Sequence, residues 1–248
     1  MKALLEAELI KLRTTRTFVA LTASAVGISL LITVLVASIT EPTEEGVLTD
    51  VFTSDVSGLF ILILAVIGIS GEWRHRTITS SLLAAPDRVR FLAAKTIAFA
   101  VAGLVLSVLI SIAVGIAGLA ILSARDLPTP EVGDLLEQFA RNAGVAALGG
   151  AFGVGIGALV RNQVVAIVGV LVMGFAVEPA LVALVPEVGR FGPFGALPTA
   201  AQGLDPEDVG MPEDVDLPAA AVAVLLLLAW IGSFFAAGAA LLRYRDLE

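Results

Sequence analysis

The residues of this chain that could do chemistry are gathered in one basic stretch, residues 71–95, which reads GEWRHRTITSSLLAAPDRVRFLAAK. It lies between two long apolar runs and holds four arginines, Lys95 and His75, the only histidine of the chain. A single histidine cannot complete HExxH, and the chain has no histidine within its apolar runs for a serine protease. We therefore predict no catalytic residue and no metal site, and interpret the stretch as a contact for a partner.

Energy sources are also missing from the sequence. The phosphate-binding pattern GxxxxGK[ST] does not occur, so the chain has no P-loop for ATP. Cysteine is absent too, which excludes disulfides and thiol chemistry. Ion-coupled carriers keep ionisable groups at mid-membrane. The nearest case here, Glu178 beside Pro179, is interpreted as lying near the external boundary, with a functional intramembrane acid as the alternative. Transport by this chain would need an external energy source.

A second group of ionisable residues precedes the basic stretch. Residues 40–55 contain five acids and no base: Glu41, Glu44, Glu45, Asp50 and Asp55. Acids scattered at these spacings are typical of a solvated loop, and a metal-binding cluster is the weaker alternative. We expect these side chains to face water.

The composition indicates that a membrane positions all these residues. The chain of 248 residues is 58% hydrophobic and only 15% charged, too apolar for a soluble surface. Six runs approach the roughly 20 apolar residues that cross a bilayer as a helix: 18–39, 52–70, 93–122, 142–160, 164–185 and 218–242. The fifth contains Glu178-Pro179, which should end or kink a helix, so it could be a shorter crossing followed by a re-entrant piece.

Charges in alternate loops predict the orientation of these spans. Twelve of the 15 Lys and Arg residues fall in one set of loops and 17 of the 23 Asp and Glu residues in the other. Because basic residues are retained on the cytoplasmic side, we expect both termini, residues 71–92 and the turn Arg161-Asn162-Gln163 to be cytoplasmic. Residues 1–16 are moderately amphipathic, with Leu5, Leu9 and Leu12 on one stripe. They form either an interfacial helix or a charged flank that fixes topology.

The basic stretch has predictable parts of its own. Arg74, His75 and Arg76 fall at the carbonyl end of the second span, a favourable place for positive charge. Thr79, Ser80 or Ser81 can cap a short helix carrying Leu82 and Leu83, and Pro86 separates that helix from the third span. We predict a short helix set crosswise outside the membrane.

Small residues recur at four-residue spacing in the fourth span, at Gly149, Gly153 and Gly157. Such a row lets another helix approach closely where lipid provides no hydrophobic drive. The row is either a dimer seam or a packing face within one bundle.

The stretch 71–95 resembles the cytoplasmic loop between the second and third spans of ABC-2 type transporter permeases, in the short six-span form common in actinobacteria. The matching positions are an acid, a basic cluster, a threonine, a Leu-Leu pair, a proline, further basic residues and a lysine: Glu72, Arg74, Arg76, Thr77, Leu82, Leu83, Pro86, Arg88, Arg90 and Lys95. The turn Arg161-Asn162-Gln163 followed by Val177-Glu178-Pro179 is a second similarity, and EAELIKLRTTR near the amino terminus is a third. Asp87 departs from the family, where a basic residue often follows the proline.

The resemblance implies an all-α integral membrane protein of one domain, residues 1–248, with an amino-terminal interfacial helix, a coupling helix in 71–92 and an external re-entrant segment in 186–217. It implies a permease subunit of an exporter in the bacterial cytoplasmic membrane. Two copies, or this chain and a sister permease, would each dock one cytosolic ATPase, which holds ATP and Mg²⁺; this chain binds no cofactor. The site residues would be Glu72, Arg74, His75, Arg76, Thr77, Leu82, Leu83, Pro86, Arg88 and Arg90.

The apolar spans favour an amphipathic or lipid-like cargo, such as a drug, antibiotic or lipid. We expect membrane lipid to surround the chain, and nothing in the sequence indicates a nucleic acid as a partner. The alternative from another class is a membrane scaffold or assembly subunit without a transport cycle.

Overall fold

The computed structural model describes residues 2–44, 46–75, 77, 87–160, 162–212 and 214–244. In those ranges all regular structure is helical. In chain order the helices are α1 Lys2–Thr14, α2 Arg16–Ile39, α3 Val47–Phe52, α4 Ser57–Arg74, α5 Arg88–Ala124, α6 Val132–Leu159, α7 Gln163–Val172, α8 Glu178–Leu184, α9 Pro186–Gly189, α10 Ala196–Gln202 and α11 Ala220–Tyr244.

The prediction of six apolar helices long enough to cross a membrane is confirmed within the described residues. They are Arg16–Ile39, Val47–Arg74, Arg88–Ala124, Val132–Leu159, Gln163–Leu184 and Ala220–Leu242. The chain therefore has the architecture of a multi-pass membrane protein. Apolar side chains such as Leu31, Ile116 and Leu225, each about two-thirds exposed, cover the outside of the bundle, where a bilayer would shield them.

Helix α6 is the centre of the bundle. Its apolar window is 72% buried, against 17% for α2 and 11% for α11, which lie at the periphery. α4, α5 and α11 pack around it. The two ends of the bundle are named here by residues of α5: the Lys95 end, near its beginning, and the Arg125 end, just past its last residue.

The ends of α5 are fixed by side chains that satisfy helix termini. The Asp87 carboxylate accepts hydrogen bonds from the backbone N–H of Val89 and Arg90, both at 3.1 Å, and so caps the start of the helix. This cap gives Asp87 a structural role at the start of α5. At the other end the Arg125 guanidinium donates to the carbonyls of Ala37, at 2.6 Å, and Thr40, at 2.8 Å, where α2 ends.

The glycine row of α6 packs inside the chain. A Cβ placed on Gly153 would overlap the carbonyl oxygen of Leu62 in α4, and Gly149 and Gly157 meet the backbone of the same helix. This face is therefore occupied by α4 and leaves no room for a second chain. We drop the dimer seam: the row is the packing face within one bundle that the sequence left open.

The fifth crossing continues through Pro179, where the sequence predicted that a helix should end or kink. The turn Met173–Val177 is wound as a π-helix, and the backbone N–H of Glu178 donates to the carbonyl of Met173, five residues earlier. A π-turn before a proline accommodates the missing N–H and the bulk of the ring. The result is one apolar helical path over Gln163–Leu184.

After α8 the chain folds back onto the bundle. α10 packs against α6 and α11 with Leu197 fully buried beside Val145 and Leu227. The polar segment after α10 then returns to the start of α11 at Ala220. The external re-entrant segment predicted for residues 186–217 stays a prediction.

The glycine face generates a stability prediction. Gly153→Ala forces the Leu62 carbonyl away from its position, and we expect it to destabilise the protein by about 1–3 kcal/mol, the usual cost of overpacking. Gly144→Ala is the matched control on the same helix, because a Cβ there meets nothing within 4 Å. Thermal unfolding in detergent should show a lower midpoint for Gly153→Ala and an unchanged or higher one for Gly144→Ala. Equal midpoints would contradict the close approach of α4 and α6.

Candidate functional site

Four charged side chains meet at the Lys95 end and form what we call the charge cluster: Glu8, Lys11, Glu72 and Lys95. The Lys95 ammonium lies 2.6 Å from the Glu8 carboxylate and 2.8 Å from the Glu72 carboxylate. The Lys11 ammonium contacts the same two acids at 2.9 and 3.2 Å. Two acids and two bases thus alternate around one closed ring of contacts.

Three helices position this ring. Glu8 and Lys11 lie one turn apart on α1, Glu72 is in the last turn of α4 and Lys95 is in the second turn of α5. α1 is held there by apolar contacts as well, since Leu4 packs with Phe91 and Leu12 packs against the main core. The Phe91 ring also lies beneath the Lys95 ammonium, with its centroid 5.3 Å away.

The cluster is nearly closed to solvent. The side chains of Lys95, Glu8 and Glu72 are 2%, 9% and 10% exposed, whereas that of Lys11 is 50% exposed. Ions this deeply buried lose their hydration, so they depend on one another for stabilisation. Glu72 has one oxygen, Oε2, that is buried and has no hydrogen-bond partner among the described residues.

The two α1 members have shifted pKa values. Burial opposes ionisation of Glu8, but the ammonium groups of Lys95 and Lys11 outweigh burial and lower the pKa of Glu8 from its ordinary 4.5. Burial likewise opposes the charge on Lys11, while the carboxylates of Glu8 and Glu72 outweigh burial and raise the pKa of Lys11 from 10.5. Both groups are therefore charged at neutral pH.

The structure brings several of the predicted site residues to this end. Arg74 donates to the Gln163 side chain at 3.3 Å, which joins the end of α4 to the start of α7. The backbone N–H groups of His75 and Thr77 donate to the carbonyls of Gly71 and Glu72, both at 2.9 Å, and continue the last turn of α4.

The other predicted site residues that the structure describes contact the ends of helices. The Arg88 guanidinium donates to the carbonyl of Leu242 near the end of α11, and Arg90 pairs with the capping residue Asp87 at 3.1 Å. The Asn162 side chain caps α7 through the N–H groups of Val164 and Val165. Five predicted residues lie outside the described residues, and their roles stay predictions: Arg76, Leu82, Leu83, Pro86 and Arg161.

Sequence reasoning missed the ionic partners of Glu72. It assigned Leu9 to the apolar stripe of α1, but Leu9 is 37% exposed, and Glu8 occupies the buried position beside Leu4, Leu5 and Leu12. A charged residue within the apolar face of an amphipathic helix is the signal that could have identified it. A buried Glu8 also requires a cation as a partner, and Lys95, which follows the apolar residues 91–94, supplies it.

Two acids near the Arg125 end make specific contacts. The boundary position expected for Glu178 stays a prediction. Glu178 is 4% exposed, and its carboxylate accepts hydrogen bonds from the backbone N–H groups of Phe194, Gly195 and Ala196 at 2.6–2.8 Å. This carboxylate therefore anchors the start of α10. Asp55 was expected to face water, but it is half-buried and accepts hydrogen bonds from the Ser107 hydroxyl and from the Ser57 N–H, the latter at 2.7 Å.

A scan against protein-family models finds no match to this chain, and a search of curated proteins finds none either.

The burial of Lys95 generates the first prediction at this site. Lys95→Met leaves the Glu8 and Glu72 carboxylates with only Lys11 between them, and we expect a destabilisation of about 3–5 kcal/mol, as when one partner of a buried ion pair is removed. Lys2→Met is the control, because Lys2 makes a solvent-exposed 3.9 Å pair with Glu6 that should contribute nothing measurable. Unfolding midpoints in detergent measure both.

A double variant tests whether the cluster acts as a unit. Adding Glu72→Met to Lys95→Met removes one of the stranded carboxylates and leaves Glu8 paired with Lys11, so part of the lost stability should return. Simple additivity of the two single losses would show that Glu72 and Lys95 do not interact.

The shifted pKa values generate a pH prediction. Because the pKa of Glu8 is lowered on folding, its carboxylate contributes fully to the free energy of unfolding above pH 4.5. That contribution is lost as the pH falls through the lowered pKa. The raised pKa of Lys11 makes its contribution complete below pH 10.5, and it is lost as the pH rises through the raised value. The stability difference between the protein and Glu8→Gln should be level between pH 4.5 and 10.5 and shrink on both sides. A difference that already falls between pH 7 and 5 would contradict the pairing.

Proposed function

We propose that this chain is the membrane-spanning permease subunit of an ATP-driven exporter of the ABC-2 type, and that a separate cytosolic ATPase supplies the energy. The observation that carries the proposal is the charge cluster. Glu72 and Lys95 lie near the two ends of the stretch 71–95 that resembles the coupling loop, and their carboxylate and ammonium are 2.8 Å apart. A displacement of that stretch therefore reaches α4 and α5 together.

The packing beyond the cluster supports the same proposal. α4 lies directly on the glycine face of α6, where any relative sliding would meet backbone on both sides. α4 and α6 should consequently move as one body. Force on the segment between Thr77 and Asp87 would pass through α4 to the centre of the bundle, and through α1 to its periphery.

A buried ion cluster also fits a positioning role better than a purely stabilising one. Replacing buried ion pairs by apolar side chains is often neutral or stabilising, so such pairs are weak evidence for stability alone. In this proposal the ring of contacts fixes α1, α4 and α5 in one register and makes the coupling segment a lever with rigid attachments.

The rest of the proposal concerns sidedness, partners and cargo. The Lys95 end faces the cytoplasm of a bacterial cell, with both termini on that side, and the chain pairs with a second copy or a sister permease. Each permease docks one ATPase through Leu82 and Leu83. The segment after α8 closes the external side, and the cargo is amphipathic or lipid-like and moves outward.

Association with an ATPase tests the proposal. We expect the chain, co-expressed with a P-loop ATPase from a neighbouring reading frame, to co-purify with it, and the pair Leu82→Asp, Leu83→Asp to abolish co-purification. Val132→Asp is the matched control, because Val132 is 72% exposed and lies at the Arg125 end. Failure of every candidate ATPase to associate with the intact chain would overturn the proposal.

A second measurement separates docking from transmission. Glu72→Gln leaves Leu82 and Leu83 in place, so the ATPase should still co-purify. Its stimulation by the permease should fall several-fold, because the lever has lost one attachment. Unchanged ATPase activity in both Glu72→Gln and the Leu82, Leu83 variant would instead favour the membrane scaffold without a transport cycle.

A further inference from the structure

A cavity of about 330 Å³ lies towards the Arg125 end, between the start of α4, α6, the π-turn of the fifth crossing, the folded-back segment and α11. This volume is within the range of small-molecule sites. Most of its wall is apolar, with aromatic rings among the lining residues: Leu62, Val145, Phe152, Phe175, Phe194 and Leu227. A ligand here would need a substantial apolar body.

One part of the wall is polar. The Asp55 carboxylate borders the cavity and is held in place by Ser57 and Ser107, and no basic side chain of the described residues pairs with it. Burial of a carboxylate among apolar helices disfavours its ionised form unless a cation lies beside it. The site therefore offers a place for positive charge.

Asn142 borders the same cavity and adds an independent signal. It is 3% exposed, and its Oδ1 accepts a hydrogen bond from Gln138 Nε2 at 3.0 Å. Its Nδ2 is buried and has no partner among the described residues. Buried amide donors are almost always satisfied, so this position lacks an acceptor. Because Nδ2 is closed off from the cavity, a ligand oxygen reaches it only when the Asn142 side chain turns towards the cavity.

We propose that the cavity binds an amphipathic amine that carries a hydroxyl or carbonyl oxygen close to the ammonium group. The ammonium pairs with Asp55, the neighbouring oxygen accepts from Asn142 Nδ2, and the apolar body lies against Phe152 and Phe175. Binding itself does not depend on an ATPase; only the identification of the amine as exported cargo rests on the proposed function.

Direct binding to the purified full-length protein, without ATPase or ATP, tests this site. The probe is propranolol, a fluorescent naphthyloxy amino alcohol, titrated into protein in phosphatidylcholine nanodiscs with empty nanodiscs as the blank. Its neutral diol analogue, in which a hydroxyl replaces the amine, is the matched ligand. We expect saturable binding of propranolol and at least tenfold weaker binding of the diol, since a hydrogen-bonded charge accounts for one to two orders of magnitude.

Variants locate the contact. Asp55→Asn should weaken propranolol binding about tenfold or more, whereas Asp50→Asn, at an exposed acid on α3, should not change it. Asn142→Leu should weaken binding of propranolol but not of the matched amine that lacks the hydroxyl. Equal binding of propranolol and the diol, or equal effects of Asp55→Asn and Asp50→Asn, would overturn the proposal. Nonspecific partitioning of the apolar body would then explain the signal.

Two glycine substitutions, one of which fills the cavity, test the site independently in case the polar variants misfold. Gly174 borders the cavity, and the nearest atom to a Cβ built there is 3.5 Å away, so Gly174→Leu can be accommodated while it takes up cavity volume. A Cβ built on Gly169, on the same crossing, meets nothing within 4 Å, so Gly169→Leu serves as the control. Gly174→Leu should abolish binding and Gly169→Leu should preserve it; binding retained in both would also overturn the site.

Discussion

The arrangement of the Lys95 end depends on one constraint: the ammonium of a lysine side chain that is 2% exposed must be surrounded by carboxylates. Lys95 stands in the second turn of α5 after the apolar residues 91–94, and two acids from two other helices neutralise it. Because charge at this depth is tolerated only when paired, the requirement selects one placement of α1 against α4 and α5. Apolar packing alone would allow these helices to slide past one another.

The sequence was sufficient for the helical class and for the number of apolar helices, because twenty apolar residues in lipid have no alternative to a helix. It was less informative about helix ends. α6 begins at Val132, ten residues before the predicted span, since Asp134, Glu137 and Arg141 lower its apolar character without interrupting the helix. Pro179 was expected to end or kink a helix; the helical path continues through it because a π-turn accommodates the missing N–H.

The candidate site could be predicted only in part. Glu72 and Lys95 were identified within the basic stretch, but their pairing with Glu8 and Lys11 depends on where α1 folds, which no local pattern specifies. The same holds for Asp55 and the glycine row, since the partner helix decides whether an acid faces water and whether a bare face meets a neighbour. Residues near each other in space and distant in sequence are what local reasoning cannot resolve.

The bond between Glu8 and Lys95 joins residues 87 positions apart, and this separation has a consequence for biosynthesis. At 5–20 residues per second, Glu8 leaves the ribosome roughly 4 to 17 s before its cation does. During that interval the only partner of Glu8 is Lys11 on the same helix, and such a pair of charges is stable in water or at the lipid surface but not in the bilayer core. α1 therefore stays at the lipid surface until the third crossing delivers Lys95, so it reaches its final place later than α4, although α4 is synthesised after it.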